Sequence, residues 1–350
     1  MSGLIEKLLD KQSKGHILII KPGAIGDVLQ MTPVLRAVRN SFPSSVVLFL
    51  AGSVVTLELL YKNININEVL LFKKGRGVKE VSRVIKLAKS LKPKQIYMIL
   101  NFQPSNWRWR LLTLILKPQY VFLYKKQKRI NEEERRLHAV EDHLKTLSKF
   151  KACREDLHLD FFLTEDEIEE AKGIINGYIF ENNMGKGIIC FNMGASHSVN
   201  RWPADYFYKL SSILIAAGFR IILIGGEEDR MLVNQYLSNG PSECLDLVGK
   251  LSIRKTAAIL SQCDLLVSGD TGPLHIATSV GTKVIGLFGA ADPARTGPIG
   301  YGNIVIQPNL PCVPCRKRRC KNTKRLCMEV IKPEEVASKI FEIFSCDMPE

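Results

Sequence analysis

The chain contains no long apolar run. Lysine or arginine interrupts every candidate before it reaches the roughly 20 apolar residues that a membrane-spanning helix needs. The first residues also lack the apolar core of a secretory signal, and Ser2 stands where N-myristoylation requires a glycine. We therefore expect a cytoplasmic protein.

Acidic residues are few relative to basic ones. The chain has 35 Asp and Glu against 49 Lys and Arg, a formal net charge of +14. Such a surface attracts phosphates on a small molecule, a nucleic acid or a bilayer. Basic clusters lie at 107–110, where cations alternate with tryptophans, and at 125–129. No nucleic-acid motif surrounds them, so no nucleic-acid partner is expected. Solvated charges without a partner are the alternative.

Length and composition indicate two soluble globular domains. A chain of 350 residues is too long for one ordinary core, and 46% hydrophobic with 24% charged residues is typical of soluble proteins. The regular pattern weakens in a polar stretch between the halves. We predict an N-terminal domain over 1–170, a linker over 171–186 and a C-terminal domain over 187–350.

Strands and helices alternate in both halves. Predicted strands cover 16–20, 46–51, 96–100, 120–124, 187–191, 219–224, 264–268 and 284–288. Predicted helices cover 27–41, 78–91, 105–116, 132–149, 203–217, 227–238, 252–262 and 273–280. Strand runs that are apolar throughout indicate parallel sheets covered on both faces. The predicted fold class is α/β, with two Rossmann-like doubly wound domains.

A glycine turn occurs between a strand and a helix in each half. One spans residues 21–27 and the other spans 269–275. Such a turn directs backbone N–H groups and the positive end of a helix to one place, which suits an anion. Ligands of doubly wound domains bind at the carboxyl ends of the strands. The two turns therefore predict two nucleotide-fold domains facing one cleft.

Several motifs follow one another in a fixed order. They are Lys21-Pro22-Gly23-Ala24-Ile25-Gly26-Asp27-Val28, Thr32-Pro33, Asn192-Met193-Gly194-Ala195-Ser196, Arg201-Trp202-Pro203, Gly225-Gly226 and Ser268-Gly269-Asp270-Thr271-Gly272-Pro273-Leu274-His275-Ile276-Ala277. The ordered set resembles glycosyltransferase family 9, the ADP-heptose:lipopolysaccharide heptosyltransferases. The resemblance implies a GT-B fold with the acceptor on the N-terminal domain and the sugar nucleotide mostly on the C-terminal one. It also implies inversion at the anomeric carbon with no cofactor or catalytic metal.

Asp27 is the candidate catalytic residue. Sugar transfer needs a base for the acceptor hydroxyl, and the resemblance implies that the Asp of the first glycine turn is this base. From the residues alone, Asp27 would rather be the N-cap of the following helix. Gly23 and Gly26 are expected to form the turn.

The second glycine turn is the candidate site for the leaving diphosphate. Thr271, Gly272 and His275 offer a hydroxyl, N–H groups and an imidazole that can reach phosphate oxygens, and a core histidine is the alternative for His275. Asp270 would order the turn or bind sugar hydroxyls.

Ser196 and Arg201 are expected to flank the cleft from the neighbouring strand end. An arginine there can bind a diphosphate through two hydrogen bonds. The chain departs from the family pattern at Asn200, where a lysine is common, so Arg201 is a candidate substitute for that lysine.

The nucleotide is expected to lie on two further loops. By resemblance, Asp229 takes the ribose hydroxyls, and Leu251 lies against the adenine. A carboxylate can accept two hydrogen bonds from a cis-diol. The alternative for Asp229 is a favourable first-turn helix charge.

Four of the nine cysteines are clustered. Cys312, Cys315, Cys320 and Cys327 have the spacing C-x2-C-x4-C-x6-C within a segment rich in Lys and Arg. The cations favour thiolates, and four thiolates can form a structural zinc site. Disulfides or reduced thiols are the alternatives.

The function expected from this sequence is metal-independent, inverting transfer of heptose from ADP-heptose to the inner core of lipopolysaccharide. Arg108 and Arg110 are the candidate contacts for the acceptor, which carries carboxylates and phosphates. Because the resemblance implies an acceptor on a bilayer, we also expect a peripheral contact with the anionic inner-membrane surface. Alternatives are another nucleotide-sugar transferase, a GT-B epimerase, or an inactive protein that binds nucleotide or glycolipid.

Overall fold

The chain forms two compact units, which divide between Phe162 and Leu163. The computed structural model describes residues 15–72, 78–126, 137–147, 156–182, 185–239, 243–320 and 326–346. The described part of each unit holds one parallel sheet, with five strands in the first and six in the second. The predicted pair of doubly wound α/β domains is confirmed.

The first unit is built around a sheet in the order β3-β2-β1-β4-β5. Its strands are β1 (His16–Ile20), β2 (Val46–Ala51), β3 (Glu68–Leu71), β4 (Ile96–Asn101) and β5 (Tyr120–Leu123). Its helices are α1 (Ile25–Leu29), α2 (Thr32–Ser41), α3 (Val54–Leu59), α4 (Val78–Leu91), α5 (Trp107–Leu116) and α6 (Ala139–Leu144). The order reverses between β1 and β4, which is where a doubly wound domain binds its ligands.

Helices α4 and α5 cover one face of this sheet. Val84 and Ala88 of α4 and Trp109 of α5 pack in one buried cluster with Leu18 of β1 and Ile99 of β4. The buried residues of both helices recur every three or four positions, so each helix turns one stripe toward the sheet. Both helices therefore present their remaining side chains outward from the same layer.

The second unit repeats this plan in the order β11-β10-β9-β6-β7-β8. Its strands are β6 (Ile188–Asn192), β7 (Arg220–Ile224), β8 (Cys244–Asp246), β9 (Leu265–Gly269), β10 (Lys283–Leu287) and β11 (Ile304–Ile306). Its helices are α7 (Glu165–Asn182), α8 (Ala204–Ala216), α9 (Arg230–Asn239), α10 (Ile253–Leu260), α11 (Gly272–Ser279), α12 (Pro293–Thr296), α13 (Leu326–Val330) and α14 (Pro333–Cys346). Its switch point lies between β6 and β9.

Most of the range 171–186, predicted as a linker, lies in helix α7 of the second unit. The buried side of α7 carries Ala171, Ile175 and Tyr178. Their spacing of four and three residues gives a narrow apolar stripe, which the many acidic residues around it obscure in the sequence. An ion pair between Glu167 and Arg254 joins α7 to α10 and lowers the pKa of Glu167 to about 2.

Two other predicted helices differ from the structure. The helix predicted at 27–41 is two helices, α1 and α2. The helix predicted at 132–149 includes residues outside the described ranges, and α6 is its described part. Within the described ranges, none of the helices combines the length and apolar character needed to cross a bilayer.

Candidate active site

Asp27 lies inside the short helix α1 rather than before it. The N-cap of α1 is Ala24, which has an extended backbone and makes no side-chain capping bond. Asp27 is an acidic residue of the first turn of this helix. The capping role that the residue type alone suggested is therefore wrong.

A buried lysine pairs with Asp27. The Nζ of Lys21 lies 3.3 Å from Oδ1 of Asp27, and the two side chains are 10% and 49% exposed. A Cβ on Gly23 would lie 2.6 Å from the Cβ of Asp27, so only glycine leaves room for this side chain. The first glycine turn thus holds the accessible carboxylate of Asp27 beside the buried ammonium group of Lys21. This carboxylate occupies the place where the sequence suggested a phosphate cradle.

The turn that carries Asp27 lies between two neighbouring strand ends. The amide Nε2 of Gln103, just after β4, donates to the carbonyl of Pro22 at 3.3 Å. A Cβ on Gly52, just after β2, would lie 2.8 Å from the Cβ of Pro22. Gly26, which was expected to form the turn, instead lies in α1, where its carbonyl accepts the N–H of Gln30. The carboxylate is therefore fixed at the switch point of the first sheet.

A buried amide connects the ends of β6 and β9 at the switch point of the second sheet. The Nδ2 of Asn192 donates to Oγ of Ser268 at 3.0 Å and to Oγ1 of Thr271 at 3.1 Å. The two hydroxyls are 2.9 Å apart, and Ser268 donates to the carbonyl of Gly269 at 3.1 Å. No role for Asn192 was predicted from the sequence, although a polar side chain at the end of an apolar strand is a signal for one.

The hydroxyl of Thr271 belongs to this network. When Ser268 donates to the carbonyl of Gly269, the proton between the two hydroxyls comes from Thr271. In that arrangement Thr271 orients the turn, and its contact with phosphate stays a prediction.

Helix α11 begins at this turn with an uncapped N-terminus. Thr271 is its N-cap and makes no side-chain capping bond, and Pro273 in the first turn has no N–H. The first amides of a helix have no acceptor within it, and they carry the positive end of the helix dipole. The N–H groups of Gly272 and Leu274 are thus the donors that this helix offers to an anion. The side chain of His275 is buried, as expected for a core histidine, and its contact with phosphate stays a prediction.

Asp270 precedes this helix, and its surroundings raise the pKa of its carboxyl group. Burial raises the pKa of its carboxyl to about 6, although a hydrogen bond with Thr296 opposes the shift. Thr296 ends helix α12, so Asp270 connects the β9–α11 turn to the next loop. This contact supports an ordering role, and binding of sugar hydroxyls stays a prediction.

Replacing Asp270 with Asn should stabilise the protein near neutral pH only. The pKa of Asp270 is higher in the folded state than in the unfolded state, so its ionised form destabilises the folded state. This loss of stability develops as the pH rises from about 4 to 6. The Asn variant should gain about 1–3 kcal/mol at about pH 7.5 and nothing at about pH 4. Thermal unfolding at both pH values measures the difference. Asp205→Asn, at the exposed start of α8, is the matched control. An equal gain at both pH values would contradict the assignment.

Arg201 is held at the same edge of the second sheet. Its Nε donates to the carbonyl of Ala195 at 3.1 Å. Its terminal nitrogens make no hydrogen bond to any residue that the structure describes, whereas Ser196 is exposed beside it. The carbonyl of Asn200 packs over Gly269, where a Cβ would lie 2.9 Å away. The guanidinium of Arg201 is thus held through Nε, and its two terminal nitrogens can donate to a ligand.

Asp229 is buried. Its Oδ2 accepts the N–H of Gly226, and a Cβ on Gly194 would overlap with its carboxylate. Burial raises its pKa, and the hydrogen bond from Gly226 and the charge of Arg201 oppose this. The exposed carboxylates of this loop are those of Glu227 and Glu228. The geometry favours a structural role for Asp229, and its contact with ribose stays a prediction.

The loop expected to hold the base lies beside the preceding strand end. Gly249 has a φ of +71°, which favours glycine, and its N–H donates to the carbonyl of Gly225 at 3.0 Å. Leu251 follows and is half-buried. Its contact with adenine stays a prediction.

The two candidate acceptor arginines differ in what they contact. Arg108 forms an ion pair with Glu80, whose side chain is only 2% exposed. Arg110 is exposed and donates through Nε to the carbonyl of Pro104 at 2.9 Å. Because the guanidinium of Arg108 already pairs with Glu80 and that of Arg110 is exposed, Arg110 is the better candidate for a ligand contact. In the second basic cluster, 127–129 lies outside the described residues.

The clustered cysteines differ in exposure. No disulfide joins them in the part of the chain that the structure describes, and no three His, Cys, Asp or Glu side chains there are grouped to hold a metal ion. Cys327 is buried beside Gly289, whereas Cys312 and Cys320 are exposed. Burial, followed by the charges of the other three cysteines, raises the pKa of Cys327. A structural zinc site at these cysteines stays a prediction.

Comparison with known proteins identifies relatives over nearly the full length. The sequence model described as glycosyltransferase family 9 (heptosyltransferase) matches residues 84–326. The chain is 28% identical over 332 residues to lipooligosaccharide heptosyltransferase 2 of Campylobacter jejuni serotype O:6, covering 93% of this chain and 98% of the relative.

Solved structures share the fold. The crystal structure of a family 9 glycosyl transferase from Veillonella parvula has a TM-score of 0.79 at 21% identity, covering 95% of this chain and 98% of the other. The Escherichia coli ADP-heptose lps heptosyltransferase II has a TM-score of 0.74 at 18% identity, with coverages of 95% and 99%. These matches confirm the predicted GT-B fold.

Proposed function

Because the chain belongs to glycosyltransferase family 9, we propose that it transfers heptose from ADP-heptose to the inner core of lipopolysaccharide. The names of its relatives support the sugar and the acceptor class. The observation that carries the proposal is the pair formed by Lys21 and Asp27. It presents an accessible carboxylate, held by a buried cation, at the ligand-binding end of a doubly wound sheet.

Asp27 acts as the general base in this proposal. Its carboxylate accepts the proton of the acceptor hydroxyl while the hydroxyl oxygen forms a bond to the anomeric carbon. The bond from that carbon to the diphosphate breaks, and ADP leaves with the electron pair. One displacement of this kind inverts the anomeric centre. Lys21 holds the carboxylate in place, and Gly23 leaves the room that it occupies.

The second unit stabilises the charge that develops on the leaving diphosphate. The N–H groups of Gly272 and Leu274, at the start of α11, and the open guanidinium nitrogens of Arg201 are the donors. Fixed donors of this kind need no reorganisation as charge develops. Arg201 thereby takes the place of the lysine that the family pattern has at Asn200. Asn192 keeps the turn before α11 in position.

The test is transfer itself. The protein is incubated with a panel of nucleotide sugars and truncated lipopolysaccharide, and products are identified by mass. The proposal expects one heptose to be added to the acceptor from ADP-heptose. Release of ADP without an acceptor, or a product formed from another nucleotide sugar alone, would contradict it.

Chelation of metals should leave the reaction unchanged. Because backbone amides and Arg201 are proposed to take the charge of the leaving group, EDTA is expected to leave initial rates the same. Rates measured with EDTA, and after adding back excess Mg²⁺ or Zn²⁺, check this. A strict requirement for either ion would overturn the proposed roles of α11 and Arg201.

A further inference from the structure

The positive charge of the chain is concentrated in one segment of the first unit. Residues 78–126 contain eleven Lys and Arg but one acidic residue, Glu80. Their net charge of +10 accounts for most of the +14 of the whole chain. Glu80 is buried and paired with Arg108, so it does not offset the charge outside. Lys94 pairs with Glu68 of β3, whereas Lys86, Lys89 and Lys117 are exposed.

The same segment exposes large apolar side chains. They are Val81 and Ile85 on α4, Trp107 and Leu114 on α5, and Val121 and Leu123 on β5. Leu114 is 70% exposed and Trp107 is 45% exposed. Single exposed apolar residues are ordinary, but a group of six on adjacent elements marks a surface that meets another phase or partner.

These side chains lie on one layer. Helices α4 and α5 cover the face of the sheet that includes Ile99, and the register pairs Val121 of β5 with Ile99. Val121 and Leu123 are thus on the helix-covered side of an edge strand. On α5, Trp107, Arg110 and Leu114 are three and four residues apart, so they share its outer side. We call the outer side of α4 and α5 together with β5 the docking face.

We propose that the docking face binds the anionic surface of a lipid bilayer. Tryptophan and leucine insert at the boundary between headgroups and acyl chains, and lysine and arginine beside them reach the lipid phosphates. Each cation near an anionic surface contributes about 1 kcal/mol. A nucleic acid would satisfy the cations but would leave Leu114, Val121 and Leu123 in water. The mixture of charge and apolar surface therefore favours a membrane.

This inference deepens the proposed function, because a lipid-anchored acceptor would be presented at such a surface. Its test is separate from catalysis. Flotation with vesicles of phosphatidylglycerol and phosphatidylethanolamine measures binding without turnover. The full chain should bind these vesicles, bind phosphatidylcholine vesicles far more weakly, and lose binding as salt screens the charges.

Two variants test the face. Lys86→Glu, Lys89→Glu and Lys117→Glu together should weaken binding to the anionic vesicles by roughly 100-fold or more. Leu114→Asn, which keeps every charge, should weaken it about fivefold. Neither variant changes a residue assigned to the active site. Both should retain transfer to a deacylated, soluble acceptor, and their transfer to an acceptor embedded in vesicles should fall in the same order as their vesicle binding.

Matched controls carry the same changes on the second unit. Lys317→Glu, Arg318→Glu and Arg319→Glu reverse three exposed cations, and Met231→Asn removes an exposed apolar side chain. Both controls should bind vesicles nearly as well as the original chain. Equal loss in the control triple variant would show that binding follows total charge and would overturn the docking face. Equal binding to neutral and anionic vesicles would also overturn it. So would an oligonucleotide that displaces the vesicles and binds the Leu114→Asn variant as tightly as the original chain.

Discussion

Replacing Asp27 with Asn should lower kcat by roughly 100-fold or more while the affinity for ADP stays the same. The amide keeps the shape that fits against Gly23 but cannot accept the proton of the acceptor hydroxyl. Because the exchange removes the charge that pairs with the buried Lys21, it should also lower the free energy of unfolding modestly, although Ala24 rather than Asp27 caps α1. Steady-state transfer rates, ADP titration and thermal unfolding give the three quantities.

Asp166→Asn, at the exposed start of α7, is the matched control, because it also removes a first-turn carboxylate. Its transfer rate should equal that of the original chain. A near-normal kcat for Asp27→Asn would leave this residue a helix-terminus charge and would remove the main support for the proposed mechanism. A parallel loss of ADP affinity would instead point to a displaced turn.

Replacing Asn192 with Leu should lower the free energy of unfolding by about 1–3 kcal/mol and raise the KM for ADP-heptose about tenfold. Leucine has a similar volume but cannot donate, so the hydroxyls of Ser268 and Thr271 lose their shared donor. The turn before α11 would then be free to move, and its N–H groups would no longer point to one place. Denaturant unfolding and initial rates at varied donor concentrations measure the two effects.

Thr271→Val separates this positioning role from direct binding. If the Thr271 hydroxyl donates to Ser268 rather than to a phosphate, its loss should change the KM for ADP-heptose by less than about threefold. A larger effect than that of Asn192→Leu would show that Thr271 binds phosphate itself. An unchanged KM for ADP-heptose in both variants would show that the hydrogen bonds among Asn192, Ser268 and Thr271 do not contribute to donor binding.

The sequence predicted the long, strongly periodic elements well. Strands such as β1 and helices such as α4 were found where their apolar patterns place them, because burial of one stripe or one run decides their structure. The strands β3, β8 and β11 were missed, since segments of three or four residues carry too little pattern. Helix α7 was missed because its apolar stripe is narrow and its first turns are rich in acidic residues. Helix α14 was missed as well, although it is as long as α4.

Partners of charged and polar side chains could not be predicted from the sequence. The residue order gave Asp27, Arg201 and the second glycine turn, but the pairing of Lys21 with Asp27 depends on packing between elements. The same holds for Arg108. It was predicted from the sequence to contact a ligand, whereas in the structure it forms an ion pair with Glu80. Asn192 escaped notice because its hydrogen bonds reach residues more than seventy positions away.

The packing of Gly23 against Asp27 has a consequence for how the chain tolerates change. One added methyl group at position 23 would need the space that the Cβ of the carboxylate already fills. Natural variation at this site should thus be as restricted as at position 27, although residue 23 takes no part in proton transfer. A substitution at either position would therefore inactivate the base. A substitution at position 23 would leave Asp27 in the sequence but would displace its carboxylate.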